Sequence, residues 1–392
     1  MRRVYTDNAA TTAVSKTALD AMLPYLSDAL GNPSGVYSYG REAKTAIDNA
    51  RADIAECLGA KPEEIYFTSC GTESDNWVLR SVLKMPRCRG KHIITTAIEH
   101  HAISHTLDQL GKFEGVEATY LPVDGYGHVN PDDLRNAIRE DTALVSIMAA
   151  NNEIGTILPI KELCAIAHEK GVYFHTDAVQ AIGHIPFSVE DTGVDFLSLS
   201  AHKFRGPKGV GCLYVRKGIK LPPFITGGGQ ERSRRSGTEN VAGIVGMAAA
   251  LKESVANMDA NMAKITAMRD RLIEGLLKIP FSRLTGDPVN RLPGTASFVF
   301  ECVEGESMIL SLDRVGICAS SGSACSSGSL DPSHVLMAIG LSHEVAHGSV
   351  RLSLNERNTE EDVDYILEEF PKIITRLRAM SPLWEEKEKS LK

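Results

Sequence analysis

Short, nearly uninterrupted apolar runs alternate along this chain with segments of helical periodicity, and this alternation limits the fold more than any other feature. The runs Glu64–Ser69, Lys91–Thr96, Ala143–Met148, Val172–Thr176 and Phe196–Leu199 read as strands. Ala43–Leu58 places Ala46, Ile47, Ala50, Ile54 and Leu58 at helical spacing and closes at Gly59. Gly71–Asn76 opens a second helix, and Ile160–Lys170 is a third, stopped by Gly171. Strands that lack a polar face must be covered on both sides. The alternation therefore predicts an α/β fold, a mostly parallel sheet covered by helices, with ligand-binding groups at the C-terminal ends of its strands.

At 392 residues the chain exceeds what one small core organises, so two lobes are expected, the second beginning at the strand-like Thr295–Phe300. The formal charge of −8 argues against a nucleic-acid partner, which favours a basic face. The longest apolar run, Val241–Leu251, is rich in Ala and Gly and reads as a buried helix, so no membrane association is expected. The first residues carry no apolar signal core, and the eight cysteines include no C-x-x-C pair. A cytoplasmic protein with reduced thiols is the expectation.

The segment Phe196–Val215 reads as strand, sharp turn, strand, with Lys203 where the backbone leaves the first strand. A lysine is a nucleophile only when neutral, a state favoured by partial burial beside a cation. Ser200 and His202 are anion-holding groups, which suits a lysine joined to pyridoxal phosphate; a surface lysine in a hairpin fits this stretch alone equally well. Gly71 and Thr72, between a strand and a helix, offer free N–H groups to a phosphate, although Thr72 also fits a plain helix cap. His100 ends another strand, either lying over a planar cofactor or hydrogen-bonded at the surface. His101 and His105 have zinc-like spacing, but no third ligand accompanies them. Asp177 lies about one strand–helix–strand repeat before Lys203, so both can face one crevice. A buried aspartate there would keep the pyridine nitrogen of the cofactor protonated, and Gln180 is placed to hold its ring hydroxyl.

Gly227–Thr238 is a glycine- and arginine-rich loop before the buried helix, and a long helix leads from about Asn261 toward Leu277. In Ala319–Ser329 nothing apolar larger than alanine surrounds Cys325. A segment with so little to bury is expected to move, and its exposed thiol reads as a nucleophile rather than an incidental one. Arg351, within the alternating strand Ser349–Ser353, suits bidentate capture of a carboxylate. Thr359–Asp362 forms a capping box before the last helix, which Pro371 is expected to kink.

Taken together, Asp7-Asn8-Ala9-Ala10-Thr11-Thr12, Gly71-Thr72-Glu73-Ser74-Asp75-Asn76, Glu99-His100, Asn151-Asn152-Glu153-Ile154-Gly155 and Asp177-Ala178-Val179-Gln180 resemble the cysteine desulfurases. So do Ser200-Ala201-His202-Lys203, Arg235-Ser236-Gly237-Thr238 and Ser321-Gly322-Ser323-Ala324-Cys325, and the match runs in order along almost the whole chain. That family comprises fold-type-I pyridoxal-phosphate enzymes of the class-V aminotransferase group. The Ser/Gly-rich loop around Cys325 resembles the iron–sulfur-cluster and nitrogenase-maturation subgroup. The resemblance implies a large cofactor-binding domain over 15–260 and a smaller α+β domain over 1–14 and 261–392, carrying the cysteine loop 319–329.

It also implies roles. Lys203 would form the internal aldimine with pyridoxal 5'-phosphate and later move the Cα proton. His100 would stack on the ring, Asp177 pair with its nitrogen and Gln180 contact its hydroxyl. Gly71, Thr72, Ser200 and His202 would seat the phosphate, and Thr238 would reach a phosphate in the neighbouring subunit of a homodimer. Asn152 and Arg351 would hold the carboxylate of L-cysteine. Cys325 would take the sulfur as a persulfide, release L-alanine, and pass the sulfur to an iron–sulfur scaffold or another acceptor protein, with a transient role as cluster ligand. Selenocysteine lyases and small-molecule aminotransferases are the nearest alternatives; an aminotransferase has no need of Cys325. An idle sulfur scaffold would have lost Lys203 or Asp177. Arg205 departs from the family pattern, either adding charge on the phosphate side or facing solvent.

Overall fold

The computed structural model describes residues 2–86, 88–321 and 332–390. The large core is organised on a sheet of seven strands: β2 (Ile65–Thr68), β3 (His92–Thr96), β4 (Glu117–Leu121), β5 (Thr142–Ser146), β6 (Tyr173–Asp177), β7 (Phe196–Ser200) and β8 (Gly211–Val215). The remaining strands are β1 (Val4–Tyr5), β9 (Ser282–Leu284), β10 (Thr295–Phe300), β11 (Ile317–Cys318) and β12 (Ser349–Ser353). In space the seven run in the order β2-β8-β7-β6-β5-β3-β4. All pairings are parallel except the two made by β8. Two antiparallel steps restore direction, so β2 points the same way as β7. The C-terminal ends of six strands therefore open on one edge. β3, β5, β7 and β8 are buried along their whole length and β6 in all but its first residue, as an apolar run covered by helices on both faces must be.

The helices follow local chemistry. The helix Ser38–Leu58 buries its 3–4-spaced apolar residues and ends at Gly59, whose φ of +68° is the left-handed cap position glycine takes without strain. Val241–Ala256 is the expected buried helix. The loop Gly227–Thr238 contains a tight turn in which Glu231, Arg232 and Ser233 all have left-handed φ values of 46–61°. The cost is offset at Glu231, whose buried carboxylate pairs with Arg51 at 2.6 Å and accepts the Phe67 N–H at 2.8 Å.

A second apolar cluster gathers Val4 with residues from Ile265 to Ile374, packed around a three-stranded antiparallel sheet ordered β12-β10-β9. Val335, Leu336, Ile339, Leu341 and Ala346, although late in the chain, pack with the large core instead. β12 forms as the expected strand and alternates in composition, yet all five of its residues are buried. Val350 and Leu352 enter the second core, while Arg351 bonds Asp7 and Ser353 Oγ accepts the Ala9 N–H, so the polar positions are covered by the N-terminal segment. The capping box at Thr359 forms as expected. The helix it opens runs through Pro371 to Arg378, and it is not the last: Pro382–Ser390 follows, with Trp384 under the Arg378 guanidinium at 4.4 Å.

Segment 6–12 lies between the two cores. Thr6 and Asn8 bond to Cys318 and Ser353 on one side, and Thr12 Oγ1 donates to the His202 carbonyl on the other. Gly211 makes the neighbouring corner possible: a Cβ there would stand 2.7 Å and 2.9 Å from the Cys70 backbone. Gly211→Ala is therefore expected to destabilise the cofactor-free protein by about 1–3 kcal/mol in urea unfolding, because only backbone can yield. Unchanged stability would show that the Cys70 corner is not packed against β8 as described.

Candidate active site

A cavity of about 300 Å³ opens where the strand ends converge, within the size range of small-molecule sites. Its walls include Gly71 and Thr72 from the turn after β2, His100 after β3, Met148 and Asn152 after β5, Asp177 and Gln180 from β6 onward, and Ser200, His202 and Lys203 from β7. Arg351 of β12 closes it from the second core. Ten of the residues singled out in the sequence thus line one space. Thr238 is exposed and does not line this cavity, and Cys325 lies outside the described residues.

Lys203 ends a short 3₁₀ turn after β7, and its Nζ donates to the carbonyls of Ala9 at 2.6 Å and Ala10 at 2.9 Å. Gln180 Nε2 donates to the same Ala9 carbonyl at 3.0 Å. Asp177 ends β6, and its Oδ1 accepts the Val179 N–H at 2.9 Å. Burial lifts its carboxyl to about 6, against that hydrogen bond and the charge of Lys203, which both pull it down. His100 caps the helix His101–Glu114, its Nδ1 accepting the Ala102 N–H at 3.1 Å. Burial, followed by the charge of Lys203, lowers its imidazole to about 4, so the ring is neutral near pH 7. His202 is likewise lowered to about 4 by burial, then Lys203, and its Nδ1 lies 3.1 Å from Thr11 Oγ1.

At the opposite wall Arg351 Nη1 donates to the Asn152 carbonyl at 2.7 Å and Nη2 to Asp7 Oδ1 at 2.8 Å. Its Nε is buried and without a partner among the described residues. Glu153 accepts from Ser333 Oγ, and burial raises its carboxyl to about 7.

Several groups of this site were not assigned roles from the sequence. Asp75, on the buried face of the helix Gly71–Val82, lines the cavity floor and sits 3.6 Å from His175 Nε2. Burial and the neighbouring Asp177 push its carboxyl well up. His175, fully buried two residues before Asp177, is held between Ser146 Oγ at 2.8 Å and Ser198 Oγ at 3.0 Å. His175 gave a signal, interrupting the apolar run Val172–Thr176; Asp75, in the polar stretch Thr72–Asn76, gave none. His101 and His105 stack at 4.3 Å with His334 beside them, and no metal-holding group exists among the described residues. Arg205 points neither to the phosphate seat nor freely into solvent; it pairs with Glu356.

The donor set fits pyridoxal 5'-phosphate. A Cβ on Gly71 would stand 2.7 Å from Val179 and 3.7 Å from Ser200, so only glycine leaves room at the helix N-terminus, where a phosphate is favoured. An amine, a buried carboxyl and a neutral imidazole share the cavity with that seat.

A protein-family comparison agrees with this chemistry. The model for aminotransferase class-V matches residues 4–366. A cysteine desulfurase IscS from Methanosarcina thermophila is 56% identical over 97% of this chain and 94% of its own. One from Dictyoglomus turgidum is 52% identical, covering 98% of each. Among solved structures, a NifS-like protein superposes with a TM-score of 0.90 at 42% identity, over 96% of this chain and 100% of that one. A structure titled SspA in complex with cysteine gives 0.79 at 37% identity, over 91% and 99%. The chain belongs to the class-V aminotransferase family, fold-type-I enzymes that use pyridoxal 5'-phosphate. Within it, this protein is a cysteine desulfurase.

The raised carboxyl of Asp177 has a consequence for stability. The folded protein without cofactor keeps that proton up to about pH 6, whereas an unfolded aspartate loses it near 3.8. The group therefore costs stability increasingly as pH rises from the lower value through the higher one. Asp177→Asn is expected to raise the urea midpoint of the cofactor-free protein at about pH 7.5, with the gain fading below about pH 4. A variant no more stable than the parent at the higher pH would show that Asp177 is not held in a poorly solvated site.

Proposed function

We propose that the desulfuration is divided among these residues as follows, the observation that carries it being that Lys203, Asp177 and Arg351 border one cavity. Gly71, Thr72, Ser200 and His202 would seat the phosphate, Asp177 would pair with the ring nitrogen, Gln180 would hold the ring hydroxyl, and His100 would stack on the ring. Held by Lys203, pyridoxal 5'-phosphate would supply an electron sink for the carbon skeleton of the substrate. Arg351 and Asn152 receive the carboxylate of L-cysteine; the unpartnered Arg351 Nε supports this, since a buried donor needs an acceptor. Lys203 moves the Cα proton, and neutral His100 can take up and return a proton at its ring nitrogen.

The thiolate of Cys325 attacks the substrate sulfur. A sulfur–sulfur bond forms, the Cβ–S bond breaks, and its electron pair returns to carbon, where protonation gives L-alanine. Tethering brings the thiol to the site, and its release lets the persulfide reach an acceptor. The acceptor fits the iron–sulfur scaffold class on the strength of the IscS-named relatives, in the cytoplasm, with Cys325 as a transient cluster ligand. Among the described residues no helix is long and apolar enough to cross a membrane.

We further propose a homodimer in which Thr238 serves the partner's phosphate seat. The exposed Leu19, Leu23, Leu26, Leu30, Val36 and Tyr37 support it, an apolar surface clustered in one stretch of chain. The domains would be 15–260 and 1–14 with 261–392; the second apolar cluster, which falls wholly within the latter, supports this division.

Cys325→Ser is expected to lower sulfide release from L-cysteine with dithiothreitol at least about 100-fold while leaving the cofactor absorbance intact. Lys203→Ala is expected to lose the lysine-bound cofactor absorbance as well as the activity. Undiminished sulfide release by the serine variant would remove Cys325 from the reaction.

A further inference from the structure

Arg205 stands two residues beyond Lys203 in a backbone conformation that residues with side chains seldom adopt, φ +68°. Such a residue persists only where its surroundings over-determine it. Its N–H donates to Thr12 Oγ1 at 2.9 Å, and its carbonyl accepts the Ser15 N–H at 2.9 Å. Its Nη1 pairs with Glu356 Oε1 at 2.5 Å, both side chains being 22% exposed. Glu356 follows β12 and lies just beyond Arg351 in sequence; its own carbonyl accepts Lys264 Nζ at 2.7 Å. The pair borders a small second cavity of about 50 Å³, lined also by Phe204 and Leu354, that shares Lys203 with the cofactor cavity.

This ion pair joins the turn that carries Lys203 directly to the stretch that carries Arg351. Another connection passes through a third piece of chain: Lys203 bonds the Ala9 carbonyl, and the Ala9 N–H bonds Ser353 Oγ. A partly solvated pair contributes little to global stability. Its position gives it more leverage on geometry, because a substrate held at two points senses their separation.

We propose that Arg205 and Glu356 form a positioning clasp that sets the distance between the Lys203 amine and the Arg351 guanidinium, and thereby the affinity for an amino acid held at both. The proposal rests on the reading of Arg351 as the carboxylate holder. Neither member touches the cofactor cavity.

The test uses the holoenzyme and the variants Arg205→Gln, Glu356→Gln, the double variant Arg205→Glu with Glu356→Arg, and Arg351→Gln. KM and kcat are measured with L-cysteine and dithiothreitol, the Kd of L-alanine from the cofactor absorbance, and the thermal midpoint by melting. Each single clasp variant is expected to raise KM and the alanine Kd about 3- to 10-fold with kcat within about twofold, and the charge-swapped pair to recover most of the loss. A lower thermal midpoint with KM and alanine affinity unchanged would make the pair merely structural and overturn the proposal. So would a swapped pair that binds no better than the singles. If Arg351→Gln leaves alanine affinity intact, the carboxylate assignment itself fails. If it weakens binding while Arg205→Gln does not, only the clasp fails.

Discussion

Two hydrogen bonds from the Lys203 amine to the carbonyls of Ala9 and Ala10 hold the architecture of this site together. They join the end of β7 to a segment near the start of the chain, and that segment in turn is bonded to β12. Segment 6–12 between them, together with the Arg205–Glu356 pair and the Arg351–Asn152 bond, fixes the sheet edge that presents Asp177 and Lys203 relative to the strand that presents Arg351. Three distant parts of the sequence thus define one cavity, and the same segment supplies Asp7 to steady the Arg351 guanidinium.

Electrostatics then sorts the groups within it. Burial favours neutral forms, and the site follows that rule for His100, His202, Glu99 and Asp75. Asp177 differs from Glu99 in degree. Glu99 is raised to about 8 by burial, its hydrogen bonds from Met148 and Thr96 pulling the other way, whereas Asp177 reaches only about 6. The nearby Lys203 and the Val179 N–H make that difference intelligible, since both favour the carboxylate. Near neutral pH Asp177 is therefore the acid of this pair that carries charge, and it is the one that faces the ring nitrogen in the proposed arrangement. A protonated pyridine nitrogen would find its counter-charge there without any second ionised carboxylate alongside.

Much of this was legible in the sequence for local reasons. A strand buried on both faces must be apolar throughout, so β3, β5, β6 and β7 announced themselves, and the polar residues just past their ends marked the site. Glycine at the end of Ser38–Leu58 and the Thr359–Asp362 capping box are equally local, each decided by backbone conformation and by hydrogen bonds within a turn. Where the sequence was silent, the cause was non-local. β12 alternates in composition yet is buried along its length, because the N-terminal segment covers its polar side. Arg205 could be given no role until Glu356, distant in sequence, was found beside it.

The sequence by itself determined the layered α/β class, through its periodicity, and the family, through the ordered motifs that resemble it. Only the tertiary structure decided that β8 runs against its neighbours, that segment 6–12 lies between the two cores, and that Asp75 lies at the cavity floor with His175 beside it. The physical reason is that local propensity acts within a few residues. Which remote surfaces meet is set by the burial and hydrogen bonding of the whole chain.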